Sequence, residues 1–341
     1  WLQESLSSHP PHSFIYLGYW NALQLKVIYM LRFVFQDNFF FEDWVNDVHT
    51  TILRDFELRG LLKDHDIEFP IPSYDFSFAD LGALHSEHIS TARPVVLRGA
   101  RMQAANWTGK DISSRYGAFP LIVYCENGTA SVQSIQQYLD HVAAAPGSSC
   151  RIDSGKSNLM IEYPELAGQI GIDRLASLMG GYDVDAGQMQ SKIISSDLYY
   201  SVSSTRGSSF RAVNHHSVFV MLRGSARWTT ISPSNSFLMY PLFDSMFEVV
   251  QSWLTWQVLH ASNAGDIVRQ YFPLYRYAPR QVFELNAGDI LVNPPWNWYM
   301  IESVGTDETI GIECRFDTFS DFPRRMGRYT NSLFSLLQFL S

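Results

Sequence analysis

The chain has 341 residues, 46% of them hydrophobic and 17% charged, with a formal net charge of −9. That length buries a large core and fits one sizeable domain with an extension, or two domains. An acidic chain with no Lys/Arg run lacks the basic surface that phosphate contacts need, which argues against a nucleic-acid partner. Cys125, Cys150 and Cys314 lie far apart with no Cys-x-x-Cys pair, so they read as buried thiols rather than a disulfide scaffold or a zinc site. Aromatic residues are abundant (9 Trp, 17 Tyr, 23 Phe), which suits a β-rich core, a protein interface or a membrane interface. The first residue is Trp1 rather than Met, so the chain reads as a processed or partial product whose targeting segment is already gone.

In chain order, residues 1–13 are polar with Pro10-Pro11 and read as an arm. Residues 14–35 are mostly apolar and long enough to span a bilayer. Lys26 and Arg32 lie inside this stretch, and each would cost roughly 2.5–3.5 kcal/mol near the membrane centre. Three readings stay open for it: a helix on a partner or at a membrane interface, a membrane span, or an ordinary packed helix. Residues 41–63 form an amphipathic helix, with Trp44, Val45, Val48, Ile52, Leu53 and Phe56 at spacings of three and four and Gly60 to end it. Residues 64–73, with Pro70 and Pro72, read as a linker. A short helix over 76–90 and a strand at 94–100 follow. Val132, Ile135, Tyr138, Leu139 and Val142 predict a helix over 131–144, then a strand over 157–163 and a short helix over 172–179. From Asp197 the pattern becomes short strands between turns, as in an all-β barrel. Residues 217–222 and 226–231 are expected to pair as a hairpin across Arg223-Gly224-Ser225. Residues 237–275 are an aromatic insert with Trp253 and Trp256, and 331–340 a short amphipathic helix.

The most informative stretch runs from Phe283 to Phe316. Asn286-Ala287-Gly288-Asp289 signals a tight turn, and Ile290-Leu291-Val292 a buried strand. Pro294-Pro295 stops that strand, since proline cannot donate to a ladder. Trp296, Trp298 and Tyr299 follow, and Met300-Ile301 opens the next strand.

A strand that opens on Gly-Asp, ends on Pro-Pro and is followed by aromatics resembles the closing hairpin of a JmjC-like cupin barrel. The segments Arg93-Pro-Val-Val-Leu-Arg-Gly-Ala100, Trp107-Thr108 and Gly224-Ser-Ala-Arg-Trp228 resemble the same family. The resemblance implies a mainly β fold with helical decoration, a double-stranded β-helix. The expected parts are an N-terminal helical extension over 1–66, the barrel over 67–325 and a C-terminal helix over 326–341. It also implies Fe(II) held by two histidines and a carboxylate, with 2-oxoglutarate gripped by a lysine.

Carried over by motif, the first histidine position is Arg211, the aspartate position Val213 and the last histidine position Tyr299. The lysine position is Ala226, and a pocket asparagine becomes Ser217. Arg211 has a permanent charge and no lone pair, Val213 no donor atom, and Ala226 nothing to pair with a carboxylate. Tyr299 would ligate only as a phenolate, with an unperturbed pKa near ~10. No catalytic residue, metal or cofactor is therefore expected. The rival is an Fe(II)/2-oxoglutarate-dependent hydroxylase with an atypical ligand set, rebuilt from His215 or His216 with His260, Asp289 or Glu302. The weaker pair His85 and His88 has helical spacing, with a solvated helix face as the plainer account. Asn106-Trp-Thr and Asn127-Gly-Thr match glycosylation sequons, the first by coincidence with the family's Trp-Thr segment.

The expected function is that of a pseudoenzyme: a structural accessory subunit of a multiprotein complex, contacted through the N-terminal helices and the aromatic surface. An organellar membrane setting is expected, plastid thylakoid or mitochondrial inner membrane, with membrane contact and no nucleic acid.

Overall fold

The computed structural model describes residues 17–35, 42–61, 68–77, 79–89, 93–124, 130–144, 151–152, 159–172, 193–202, 207–243, 249–305 and 308–316. Two helices come first, α1 (Tyr19–Phe35) and α2 (Glu42–Leu58), and Gly60, at φ 63°, takes the left-handed turn that ends the second. Strands β1 (Glu68–Phe69) and β2 (Ser73–Asp75) lead to a helical turn, α3 (Leu81–Leu84), that widens into a π turn at His85–Ile89. Then come β3 (Val95–Arg98), α4 (Gly109–Tyr116), β4 (Pro120–Tyr124), β5 (Ala130–Ser134), α5 (Ile135–Ala144), β6 (Arg151–Ile152), α6 (Leu159–Glu162) and α7 (Glu165–Gln169). The barrel strands are β7 (Ile193–Ser201), β8 (Arg211–Val213), β9 (His216–Arg223) and β10 (Ser225–Ile231). After a 3-10 helix at Pro233–Leu238 come β11 (Pro241–Phe243), β12 (Val249–Ser252), α8 (Trp256–Leu259) and α9 (Ala264–Tyr271). A second 3-10 helix at Pro273–Tyr277 precedes β13 (Arg280–Asn286), β14 (Ile290–Asn293), β15 (Trp298–Val304) and β16 (Thr309–Phe316).

Two sheets face each other. One runs β1-β13-β10-β15-β8-β12-β11, the other β2-β3-β14-β9-β16-β7, and β5-β4-β6 forms a small third sheet. Strand alternation sorts the core into three layers. Between the sheets lie Val96, Val213, Phe219, Met221, Ala226, Trp228, Leu285, Leu291, Tyr299 and Ile301. On the outer face of the second sheet Val218, Val220, Leu222, Ile312 and Cys314 pack against α4 to α7. On the outer face of the first, Phe210, Ala212, Trp298 and Met300 pack against α1 and α2 through Leu25, Ile28, Tyr29, Val48, Ile52 and Phe56.

The expected hairpins turn out to be corners. β9 and β10 meet at Gly224 but belong to different sheets and do not pair. The same holds for β13 and β14 around Gly288, and for β14 and β15 across Pro294-Pro295. Each corner carries the chain over the edge of the barrel. Gly224 sits at φ 70°, and a Cβ there would lie 2.7 Å from the Glu308 carbonyl oxygen. At the Pro-Pro corner Trp296 itself adopts φ 62°, held by its N–H donating to the Val213 carbonyl at 2.6 Å. Asp289 fixes the Gly288 turn by accepting from the Asn286 N–H and the Arg98 guanidinium.

One helical and one strand reading are corrected. Residues 130–134 are strand β5, paired to β4 with Val132 opposite Ile122, and the helix begins only at Ile135. Val132 is 72% exposed, so it was never part of the apolar stripe. Residues 159–162 form a helical turn, not a strand. The readings at 1–13, 173–179, 317–325 and 331–340, the sequon at Asn127, and Cys125 and Cys150 lie outside the described residues.

Candidate functional site

Strand register brings the family positions together at one end of the space between the sheets. Tyr299 on β15 lies directly opposite Arg211 on β8 and next to Thr230 on β10. Across the barrel, Ser217 on β9 sits between Asn293 on β14 and Arg315 on β16. Val213 and Ser217 flank the bend where the chain passes from one sheet to the other. Ala226 lies further in, beside Ser303 and Leu285 and among Phe219, Met221 and Trp228.

Where a metal would be ligated, an ion network fills the corner. The Tyr299 hydroxyl donates to Glu313 Oε1 at 2.9 Å. Glu313 Oε2 takes Arg315 at 3.3 Å and Arg211 at 3.5 Å, and Arg315 reaches on to Asp197 at 3.6 Å. The Arg211 guanidinium also lies 5.0 Å over the Tyr299 ring. Trp228 also stacks on that ring, at 5.5 Å and 27°, and Phe219 meets Trp228 edge-on at 4.8 Å. Glu313 faces Asp197 directly across the β16–β7 ladder, a like-charge pair that Arg315 bridges. Two guanidinium and two carboxylate groups cancel. Burial pushes the Glu313 carboxyl up, but Arg315, Arg211 and the Tyr299 hydroxyl more than offset it, so it sits below the ordinary range. Burial raises the Tyr299 phenol, and Glu313 adds to that against the opposing arginines, so it stays neutral.

This donor set does not fit Fe(II). Arg211 presents a cation, Val213 no donor, and the Tyr299 proton is committed to Glu313. Glu313 is the nearest carboxylate, and two guanidinium groups neutralise it. The surroundings of Ala226 do not fit 2-oxoglutarate either: the side chains of Phe219, Met221, Trp228 and Leu285 occupy them and supply no cation. Among the described residues no group of three or more His, Cys, Asp or Glu could hold a metal.

The alternative ligands are scattered. His216 shares its strand parity with Val218, which faces away from the barrel interior, and His215 sits at the bend before β9. Glu302 points outward, where His260 Nε2 meets its Oε1 at 2.8 Å and the Trp256 indole N–H donates to the same oxygen at 3.2 Å. Asp289 is in its turn. His88 is buried rather than solvated and meets the Tyr74 hydroxyl at 3.1 Å through Nε2.

Asp197, Glu313 and Arg315 were not singled out from the sequence. Ile-Gly-Ile-Glu-Cys-Arg-Phe carries the signal: a strand apolar on one parity with Glu and Arg on the other places charge on its second face.

Two facing, mainly antiparallel sheets joined by corners, with a site at one rim, define a double-stranded β-helix of the JmjC-like cupin class. The chain belongs to the cupin-like domain family, whose model matches residues 82–322. Among curated proteins none matches the chain.

Proposed function

We propose that this chain is a non-catalytic JmjC-like cupin that serves as a structural accessory subunit of a larger assembly. The observation that carries the reading is the Arg211–Glu313–Tyr299 network standing at the family's ligand positions. A cation and a committed phenol occupy two of the three positions, and aromatic packing fills the space beneath them. Such a barrel supplies rigidity rather than turnover. Fold carries no chemistry without its site.

Contact with partner subunits is assigned to the outward side of α1. Leu25, Ile28 and Tyr29 are turned onto the barrel, and the Tyr29 hydroxyl donates to the Phe237 carbonyl at 2.7 Å. Trp20, 65% exposed, and Leu23 remain outside. No described helix is long and apolar enough to cross a membrane. The setting we assign is an organellar membrane complex, thylakoid or mitochondrial inner membrane, reached through protein contacts.

Metal analysis and an oxygen-dependent 2-oxoglutarate turnover assay test the first part. Stoichiometric iron or measurable turnover would sink it. For the second, the tagged chain is sized in extracts of its own cells and followed in membrane fractions. The expected result is a particle larger than one chain, reduced to a monomer by W20E/L23E. A chain that runs as a soluble monomer in its own cells rejects the subunit role.

A further inference from the structure

The ion network does not use every donor at this rim. Asn293 lies on the lumen-facing parity of β14, the parity of Leu291, and is 1% exposed. Its Oδ1 accepts from Asn297 Nδ2 at 2.6 Å, which sets the amide so that Nδ2 points the other way. That Nδ2–H group is buried with no acceptor among the described residues. The Trp228 indole N–H, under the Tyr299 ring, is likewise buried without an acceptor among them. Buried donors left unmet cost free energy, so such positions mark strain, a bound water or a guest.

The charges at the rim are unevenly exposed. Glu313, Arg315 and Asp197 side chains are 4%, 4% and 6% exposed, whereas Arg211 is 22% exposed. Arg211 therefore connects the interior network to solvent. Its contact with Glu313, at 3.5 Å, is the longer of the two that Glu313 Oε2 makes to guanidinium groups. Both carboxylates are already engaged by arginine, and Asn293 Nδ2 and Trp228 Nε1, the two orphans on the lumen-facing parity of their strands, are donors. A guest must then bring acceptor oxygens, and a negative charge would meet the guanidinium that solvent can reach.

We infer that the rim between Arg211 and Asn293 is a binding site for a small oxyanion, a carboxylate or a phosphate group. The guest is held on the Arg211 guanidinium and on the Asn293 amide N–H. This rests on the reading that no metal sits at the same rim, and it adds a ligand class to a barrel otherwise treated as inert.

The test titrates the full chain with acetate and with inorganic phosphate, against chloride at matched ionic strength. Calorimetry and thermal denaturation are the readouts. The expected result is saturable single-site binding of one of the two, which also says whether the natural group is a carboxylate or a phosphate. Arg211→Gln and Asn293→Leu should each weaken it by about tenfold or more. Asn293→Leu leaves the arginine–carboxylate network intact, so a folded variant is available even if Arg211→Gln proves unstable. Absence of saturable binding by either probe overturns the inference. So does binding unchanged in Asn293→Leu, which means an adventitious ion only, or a crystal grown in phosphate with water alone on Asn293. Iron content is measured on the same preparation: iron defeats the non-catalytic reading, whereas silence to both anions defeats only this one.

Discussion

Replacing Glu313 by Gln keeps the side chain's size and one acceptor for the Tyr299 hydroxyl but deletes the charge that joins two arginines. The network then holds two guanidinium groups against Asp197 alone. Removing one partner of a buried ion pair costs about 3–5 kcal/mol, because the other charge stays buried uncompensated. Here Arg315 keeps Asp197 at 3.6 Å, and Arg211 reaches solvent at 22% exposure. The loss therefore belongs at the low end, about 3 kcal/mol. At about 1.4 °C per kcal/mol for a chain of 341 residues, the melting midpoint falls by about 4 °C. Urea denaturation followed by circular dichroism measures the free-energy loss, and a thermal scan the midpoint. Adding Arg211→Gln restores neutrality, so the double variant should be more stable than the two single losses predict, by at least ~1 kcal/mol of coupling. A Glu313→Gln variant within about 1 kcal/mol of the parent, or a double variant that is merely additive, refutes the reasoning.

The pH profile gives an independent check. Glu313 has a folded-state pKa below the ~4.3 of a free glutamate, so its stabilising contribution is complete above that pH and is lost as pH falls through the folded value; stability below about pH 4 should fall less steeply in Glu313→Gln. Gly311→Ala places a Cβ 2.2 Å from Phe219 Cζ and should cost about 1–3 kcal/mol, less in a Phe219→Leu background, as a double-mutant cycle in urea would reveal. Ala226→Lys restores the family's cation among Phe219, Trp228 and Leu285 and should destabilise by ~3 kcal/mol or more without conferring 2-oxoglutarate binding; thermal denaturation and calorimetry decide. Gly207→Ala would push a Cβ to 2.0 Å from Trp256 Cδ1, and faster hydrogen exchange over residues 253–272 should follow as the indole leaves Glu302.

Residue type alone shows that Arg211 and Val213 offer a divalent cation no lone pair, and the register that sets Arg211 beside Tyr299 comes from the structure. What filled the gap was not legible in the same way. Glu313 reaches Tyr299 and Arg211 from the opposite sheet, and Asp197 joins from a strand far away in sequence. The hairpins were misjudged for a related reason. Turn chemistry at Gly224 and Gly288 reports that the chain reverses, but not which sheet the next strand joins. At 130–134 a three-and-four spacing ran on into a strand, and pairing with β4 overrode it. The run at 159–162 was too short for periodicity to separate helix from strand. Packing accounts for the charge at Lys26 inside the apolar α1: its ammonium lies 5.9 Å over the Phe237 ring, and burial lowers its pKa.

The corners also govern how this chain must fold. Because neighbours in sequence are sent to opposite sheets, ladders join distant segments: Phe69 pairs with Gln281, Val96 with Leu291, and Tyr199 with Gly311. Most contacts join residues far apart in sequence, so loop closure must be completed before much of the pairing is rewarded, and folding should be slow for the chain's size. β16, the latest described strand in sequence, lies between β9 and β7, so β7 is cut off from the rest of the second sheet until that strand arrives. A nascent chain therefore leaves the facing edges of β7 and β9 unpaired until residues 309–316 are made, the kind of open strand edge that favours aggregation.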